Sequence, residues 1–276
     1  MYTEAIEALG IGISIFEQRD KIAKLLKRLR YRIKHGALRI VTFGPGGVGK
    51  STLGKILSGA LDIRKATPQY EESTDVETFD LNNDISGELI VGPGQERRST
   101  GTWHELYRKL SHGKSRGVLN IVSYGYHSFT GIGYKELNQY RSNLSKKRVI
   151  EQYLKDSRQE ELRIIKEIAP RIKDAKESIW MLTLVTKQDL WWNERRKVHD
   201  FYAKGSYNDC IEEITDYRGH KNFQHEYLSA SLVISNFIDG LGEILVPTTG
   251  GYDQGLQNSN MAMFMNTINT FAKRSK

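Results

Sequence analysis

One cysteine in 276 residues, five prolines and no apolar stretch of bilayer-spanning length set the first limits on this chain. A lone Cys210 cannot close an intramolecular disulfide, which removes the disulfide-stapled secreted scaffolds and leaves a thiol expected to be buried. Without a run of about 18 apolar residues there is no candidate membrane span, and the chain reads as cytoplasmic. Its first residues lack the charge-then-apolar pattern of a signal peptide, and Tyr2 stands where a myristoylation signal needs glycine. The seven histidines have no metal-ligand spacing, and no serine, histidine and acid set is recognisable. Acid of one sign does not dominate either: the formal net charge is +8, which favours an anionic contact without choosing one.

What is present is glycine in a particular order. Gly44-Pro45-Gly46-Gly47-Val48-Gly49-Lys50-Ser51-Thr52 directly follows the apolar run Leu38 to Phe43, so a phosphate-binding loop leaves a strand and opens a helix. The glycines let backbone N–H groups face phosphate oxygens. Lys50 adds a point charge near the beta and gamma phosphates, and Ser51 can place its hydroxyl on magnesium. The pattern implies a bound nucleoside triphosphate.

The base must be read from a later strand end. Ser178 to Val185 is an apolar run that leads into Thr186-Lys187-Gln188-Asp189. With the phosphate loop, this tetrapeptide resembles the base-recognition motif of the Ras-like superfamily of GTPases. A carboxylate at Asp189 accepts from the ring nitrogen and exocyclic amine of guanine, whereas adenine would leave that charge poorly paired. The resemblance implies that Lys187 lays its stem across the base and that Thr186 braces its loop against the phosphate loop.

Leu89-Ile90-Val91-Gly92-Pro93-Gly94-Gln95-Glu96 is similar to the same superfamily's second switch. The resemblance implies that Gly94 turns its N–H to the gamma phosphate and that Gln95 orients the attacking water. With Lys50 these are the expected catalytic residues, because phosphoryl transfer needs positioning more than a strong base. Gly46 and Gly47 leave room for an incoming side chain. Val91 departs from the pattern: it stands where the superfamily has a magnesium-orienting aspartate, and valine offers no acceptor. Glu88, three residues earlier, falls on the opposite face of a strand. The first switch is placed in the polar stretch Lys65 to Thr74, with Thr74 slightly preferred over Thr67 as the second magnesium ligand beside Ser51.

Alternation of strands and helices gives the expected class, an α/β P-loop NTPase three-layer sandwich with a mostly parallel central sheet. Strands are expected at 38–43, 75–82, 87–91, 117–123 and 178–185. Helices are expected at 50–60, near 102–111, over 146–176 with an interruption at Pro170, and at 258–273. Residues 1–36 form a basic amphipathic extension, its apolar stripe Ile22, Leu25, Leu26, Leu29 and Ile33 backed by lysines and arginines. Residues 37–276 form the GTPase-like domain, with insertions near 124–177 and 200–247. Tyr124, Tyr126, His127 and Tyr134 are candidates for a partner surface or for packing. The last base-contact loop has two candidates. Ser229-Ala230 fits by composition, and Thr248-Thr249 fits by position, in which case 225–246 is a hairpin-like insertion. The functional expectation is a magnesium-dependent protein that binds GTP and GDP, hydrolyses GTP slowly and acts as a switch. Expected partners are a regulatory or effector protein, with an anionic membrane or nucleic acid as further contacts. A nucleotide-dependent scaffold and a P-loop ATPase are the alternatives.

Overall fold

The computed structural model describes residues 20–27, 40–61, 77–80, 88–91 and 117–274. Gly94, Gln95, Thr74, Thr67 and the helix expected near 102–111 lie outside them, and so does most of the N-terminal extension.

Among the described residues six strands build the main sheet: β1 Ile40–Phe43, β2 Glu77–Asp80, β3 Glu88–Val91, β4 Gly117–Val122, β5 Ile179–Val185 and β6 Phe223–Ser229, in the order β2-β3-β1-β4-β5-β6. Every neighbour pair is parallel except β2 with β3. β1, β4 and β5 are buried along their whole length, which is why they read as continuous apolar runs rather than as alternation.

Alternate side chains then serve two separate cores. Val41, Phe43, Val118, Val122, Met181 and Val185 face α2 (Lys146–Lys173), α4 (Arg195–Ala203) and α5 (Ser206–Arg218). Ile40, Leu119, Ile121, Trp180, Leu182 and Leu184 face α1 (Lys50–Ser58), α6 (Gln254–Arg274) and the helical residues 20–27. Helices on both faces of a mostly parallel sheet make the three-layer α/β architecture of P-loop NTPases. On the second face Trp180 stacks on Phe271 of α6, with ring centroids 5.2 Å apart. Gly117 lies beneath that indole, where a Cβ would come within 2.2 Å of the ring. Ile22 and Leu25 are buried in the same layer while Lys21, Lys24 and Lys27 stay exposed, and Asn269 of α6 donates to the Leu25 carbonyl.

Four expectations change. The long helix α2 runs through Pro170 instead of breaking there. Pro170 is exposed, so the bond it cannot make is lost on the solvent side, while Ile168, Ala169 and Ile172 hold the last turn to the core. The segment from Phe223 to Ser229 is the edge strand of the main sheet, so the hairpin shrinks to β7 Phe237–Ile238 with β8 Ile244–Val246. Residues 230–236 leave the strand rather than extending it, because Ser231 is drawn away to Asp189 and Tyr252. The terminal helix α6 begins earlier than expected, at Gln254.

Candidate nucleotide site

The loop between β1 and α1 is built from backbone conformations that only glycine tolerates well. Gly44, Gly47 and Gly49 have φ of 138°, 69° and 100°. Gly44 also passes against β4, where a Cβ would lie 2.1 Å from the Ile121 carbonyl oxygen. Gly47 has a further reason to be glycine beyond leaving room for an incoming group: a Cβ there would meet the Ser128 carbonyl oxygen at 2.1 Å. The Ser128 N–H donates to the Gly47 carbonyl at 3.1 Å, so the loop after β4 rests directly on the phosphate loop. Lys50 is buried, its Nζ donating to the carbonyls of Gly44 and Pro45 at 2.8 and 2.6 Å. Burial pulls its pKa down to about 8 against the pull of Glu160 and Glu77. Ser51, at the start of α1, donates its hydroxyl to Glu77 Oε1 of β2 at 3.1 Å.

The turn after β5 meets this loop from the other side. Thr186 Oγ1 lies 2.7 Å from the Val48 carbonyl and 3.0 Å from the Val122 carbonyl, so one buried hydroxyl ties the ends of three segments together. Lys187 takes up a left-handed backbone with φ 56°, donates to Ser128 Oγ at 2.7 Å and lies over the Phe237 ring. Burial lowers its pKa to about 7, with Asp189 and Glu161 working in the other direction. Asp189, at the start of the short helix α3 (Gln188–Trp191), is buried. One of its carboxylate oxygens accepts from the Ser231 hydroxyl and the other from the Ser235 N–H at 3.0 Å. Burial raises its pKa while these hydrogen bonds restrain the rise. Each oxygen retains an acceptor lone pair.

These pieces enclose one cavity of about 390 Å³, lined by Gly47, Val48, Gly49, Thr52, Thr186, Lys187 and Asp189 together with Ser128–Thr130 and parts of 232–242. The phosphate loop and the Thr186–Asp189 turn therefore share a single cleft at the carboxyl ends of β1, β4 and β5. Of the two candidates for the last loop, the chain following Ser229-Ala230 supplies Ser231 and Ser235 to Asp189. Thr248 lies off the cavity, its N–H donating to Asn236 Oδ1, and Thr249 reaches only the Asp189 backbone carbonyl. Neither candidate dipeptide itself touches the carboxylate: Ser229 Oγ accepts from Gln188 Nε2, and the contacts come from Ser231 and Ser235.

Sequence reasoning missed what holds the floor of the cleft. Glu161 of α2 is wholly buried, and its Oε1 accepts from Ser123 N, Gly125 N and His127 Nε2 at 2.9, 3.0 and 3.0 Å. Its Oε2 accepts from the Tyr202 hydroxyl at 2.5 Å, and that hydroxyl in turn accepts from Tyr124 N. His127 also faces Glu160 at 3.5 Å. Burial alone would lower the His127 pKa, but the hydrogen bonds to Glu160 and Glu161 carry it above the ordinary value. Tyr126 and His127, candidates for a partner surface, are thus packing residues, and Tyr124 is half-covered by Phe201, Tyr202 and Arg158.

No protein-family model matches the sequence, and no curated protein matches it. Solved structures are similar at low identity. The signal recognition particle receptor SRb-GTP/SRX complex from Chaetomium thermophilum has 14% identity over 71% of this chain and 91% of its own, with a TM-score of 0.42. Toc33 from Arabidopsis thaliana, as a dimerization-deficient mutant, has 11% identity over 94% and 93%, with a TM-score of 0.45. The ADP ribosylation factor-like GTP binding protein, small COPII coat GTPase SAR1, from Encephalitozoon cuniculi in complex with GDP has 10% identity over 99% and 95%, at 0.39. At these identities and TM-scores the site rests on this chain's own residues.

Proposed function

We propose that this chain is a magnesium-dependent GTP-binding protein that hydrolyses GTP slowly to GDP and phosphate and works as a molecular switch. The observation that carries the reading is the Thr186 hydroxyl on the Val48 carbonyl at 2.7 Å, which couples a glycine phosphate loop to a turn bearing a buried carboxylate in the same cleft. Lys50 supplies positive charge to phosphate oxygens, and the loop N–H groups line their path. Asp189 selects guanine by accepting from its two N–H positions, and Lys187 covers the base with its stem. Gln95 and Gly94 position the attacking water and the gamma phosphate.

The chemistry of the donor set around Ser51 fits magnesium. The Ser51 proton is directed to Glu77, which leaves the hydroxyl oxygen's lone pairs for a hard cation, and the other oxygen of Glu77 is buried with no hydrogen-bond partner among the described residues. Ser51 and a first-switch threonine, Thr74 by preference, would hold the ion. When bound, it supplies neutralisation of charge on the phosphate oxygens.

Two assays test the reading. In competition binding, GTP should displace a labelled nucleotide far better than ATP, and Asp189→Asn should move preference from guanine to xanthine by exchanging donor and acceptor demands. Equal or tighter ATP binding overturns the guanine assignment and leaves the P-loop ATPase alternative. Loss of a charge-assisted phosphate contact in Lys50→Ala should weaken binding strongly. Single-turnover phosphate release then separates a switch from a nucleotide-dependent scaffold, the reading that valine at position 91 and the large insertions permit. Slow release lowered by Gln95→Leu supports the switch, and a flat trace with and without a partner supports the scaffold. The exposed Lys21, Lys24 and Lys27 belong to the basic extension, for which a regulatory or effector protein is the proposed contact.

A further inference from the structure

Glu77 has no place in the motifs read from the sequence, yet the sheet puts it opposite the one position where they fail. β2 and β3 run antiparallel with Glu77 paired to Val91, and Val91 is paired in turn to Thr42 of β1. Residues paired across neighbouring strands share a face. Thr42 alternates with Val41 and Phe43 of the first core, so Thr42 and Glu77 belong to the face covered by α1. Ser51, at the first turn of α1, donates to Glu77 Oε1 at 3.1 Å, while Glu77 Oε2 and Thr42 Oγ1 are both buried with no hydrogen-bond partner among the described residues.

We propose that Glu77 supplies from β2 the metal-orienting carboxylate that Val91 cannot supply from β3. The inference rests on the nucleotide-binding reading and names a residue of the same site. Opposed residues of an antiparallel pair are only about 4.5–5.5 Å apart at Cα, and glutamate is one methylene longer than aspartate, so a carboxylate moved to the adjacent strand can serve the same spot. Its two oxygens divide the work. Oε1 fixes the Ser51 proton and so turns the hydroxyl oxygen towards the ion, and Oε2 accepts from a water of the ion's hydration shell, of which magnesium keeps several. A carboxylate oxygen sealed from solvent without a donor is costly, and a hydrated cation beside Ser51 removes that cost. Glu77 is a positioning residue: it acts through Ser51 and through water, not on the reacting phosphate.

The test reads metal coupling rather than turnover. GDP affinity is measured by titration calorimetry in millimolar magnesium and in EDTA, for the full chain and for Glu77→Gln, and the ratio of the two affinities is compared. Mn²⁺ line shapes from electron paramagnetic resonance of the GDP complex give an independent readout. Loss of a carboxylate that orients a metal ligand should cut the ratio by about 10- to 100-fold and broaden Mn²⁺ binding. An unchanged ratio in a folded Glu77→Gln overturns the inference while leaving the nucleotide reading intact. GDP binding to neither protein under either condition overturns both. Where Glu77→Gln does not fold, Glu77→Asp keeps the charge but withdraws it by a methylene. A lowered ratio there supports the role of Glu77, and an unchanged one overturns it.

Discussion

Replacing Glu161 with glutamine changes one atom at a point where four donors converge. The amide oxygen can keep the three bonds from Ser123 N, Gly125 N and His127, but it accepts them without a charge. Hydrogen bonds to an ionised acceptor contribute about 1.5–3 kcal/mol against about 1 for neutral pairs, so roughly 0.5–1 kcal/mol is lost at each. The new NH₂ faces the Tyr202 hydroxyl, which already accepts from Tyr124 N, and the phenolic proton is left without an acceptor at a further cost of about 1–3 kcal/mol. Glu161→Gln should therefore destabilise the fold by about 3–5 kcal/mol, a fall in Tm of roughly 6–20 °C for a chain of this size. Nucleotide affinity should fall with it, because the loosened loop is the one whose Ser128 rests on Gly47. The pH dependence adds a sign. The folded pKa of His127 lies above its unfolded value, so its stabilising contribution is complete below about pH 6.5 and is lost as pH rises through the folded value. Glutamine removes part of what raises it, so the gap between wild type and variant should narrow from acid to alkaline pH. Thermal and urea unfolding from pH 5.5 to 9 measure this. A loss under about 1 kcal/mol, or a gap that widens with pH, refutes the account.

Thr186→Val keeps the shape but removes a hydroxyl placed on two carbonyls, so it should cost about 1–3 kcal/mol in urea unfolding and weaken nucleotide binding, whereas Thr186→Ser should stay near wild type in both. A Thr186→Val near wild type beside a damaged Thr186→Ser would show that the methyl and not the hydroxyl matters. Gly47→Ala combines a φ of 69° with a Cβ 2.1 Å from the Ser128 carbonyl, and Gly131→Ala has φ 78° with open space around it. The second should cost about 1–2 kcal/mol and the first clearly more, and similar melting curves would contradict the steric reading. Because the Lys50 pKa is held at about 8 and a bound phosphate would raise it, nucleotide binding should take up a proton and weaken as pH rises above about 8. Calorimetry in two buffers of different ionisation enthalpy reads the proton directly, and a flat profile between pH 7.5 and 9.5 would refute the assignment.

What could be read from the chain was local. The phosphate loop announced itself because its φ angles demand glycine at fixed offsets, and Thr186 to Asp189 stood out as a polar tetrapeptide ending an apolar run. β1, β4 and β5 were legible as buried apolar stretches for the same reason. What escaped depended on tertiary geometry. Glu161 sits in a charged helical pattern like any solvated glutamate, and only the packing of α2 under the loop at 123–127 buries it. Glu77 acquires meaning from an antiparallel register that no single strand reveals. Pro170 misled because a break is decided by the side of the helix the proline occupies. The paired candidates for the last loop were not separable by spacing, since residues 225–246 could also be read as a hairpin-like insertion.

The second core has a temporal consequence. Leu53, Ile56 and Leu57 of α1 share it with Met261, Phe264, Met265 and Ile268 of α6, about two hundred positions downstream, and residues 20–27 lean on that same late helix. A ribosome adding about 5–20 residues per second exposes α1 some tens of seconds before α6 exists. Through that interval the nascent chain carries an uncovered apolar helix beside its phosphate loop, a standing invitation to chaperones and a place where premature termination leaves a sticky product. The helix that the phosphate loop opens thus gains its packing partner only once synthesis has run through α6.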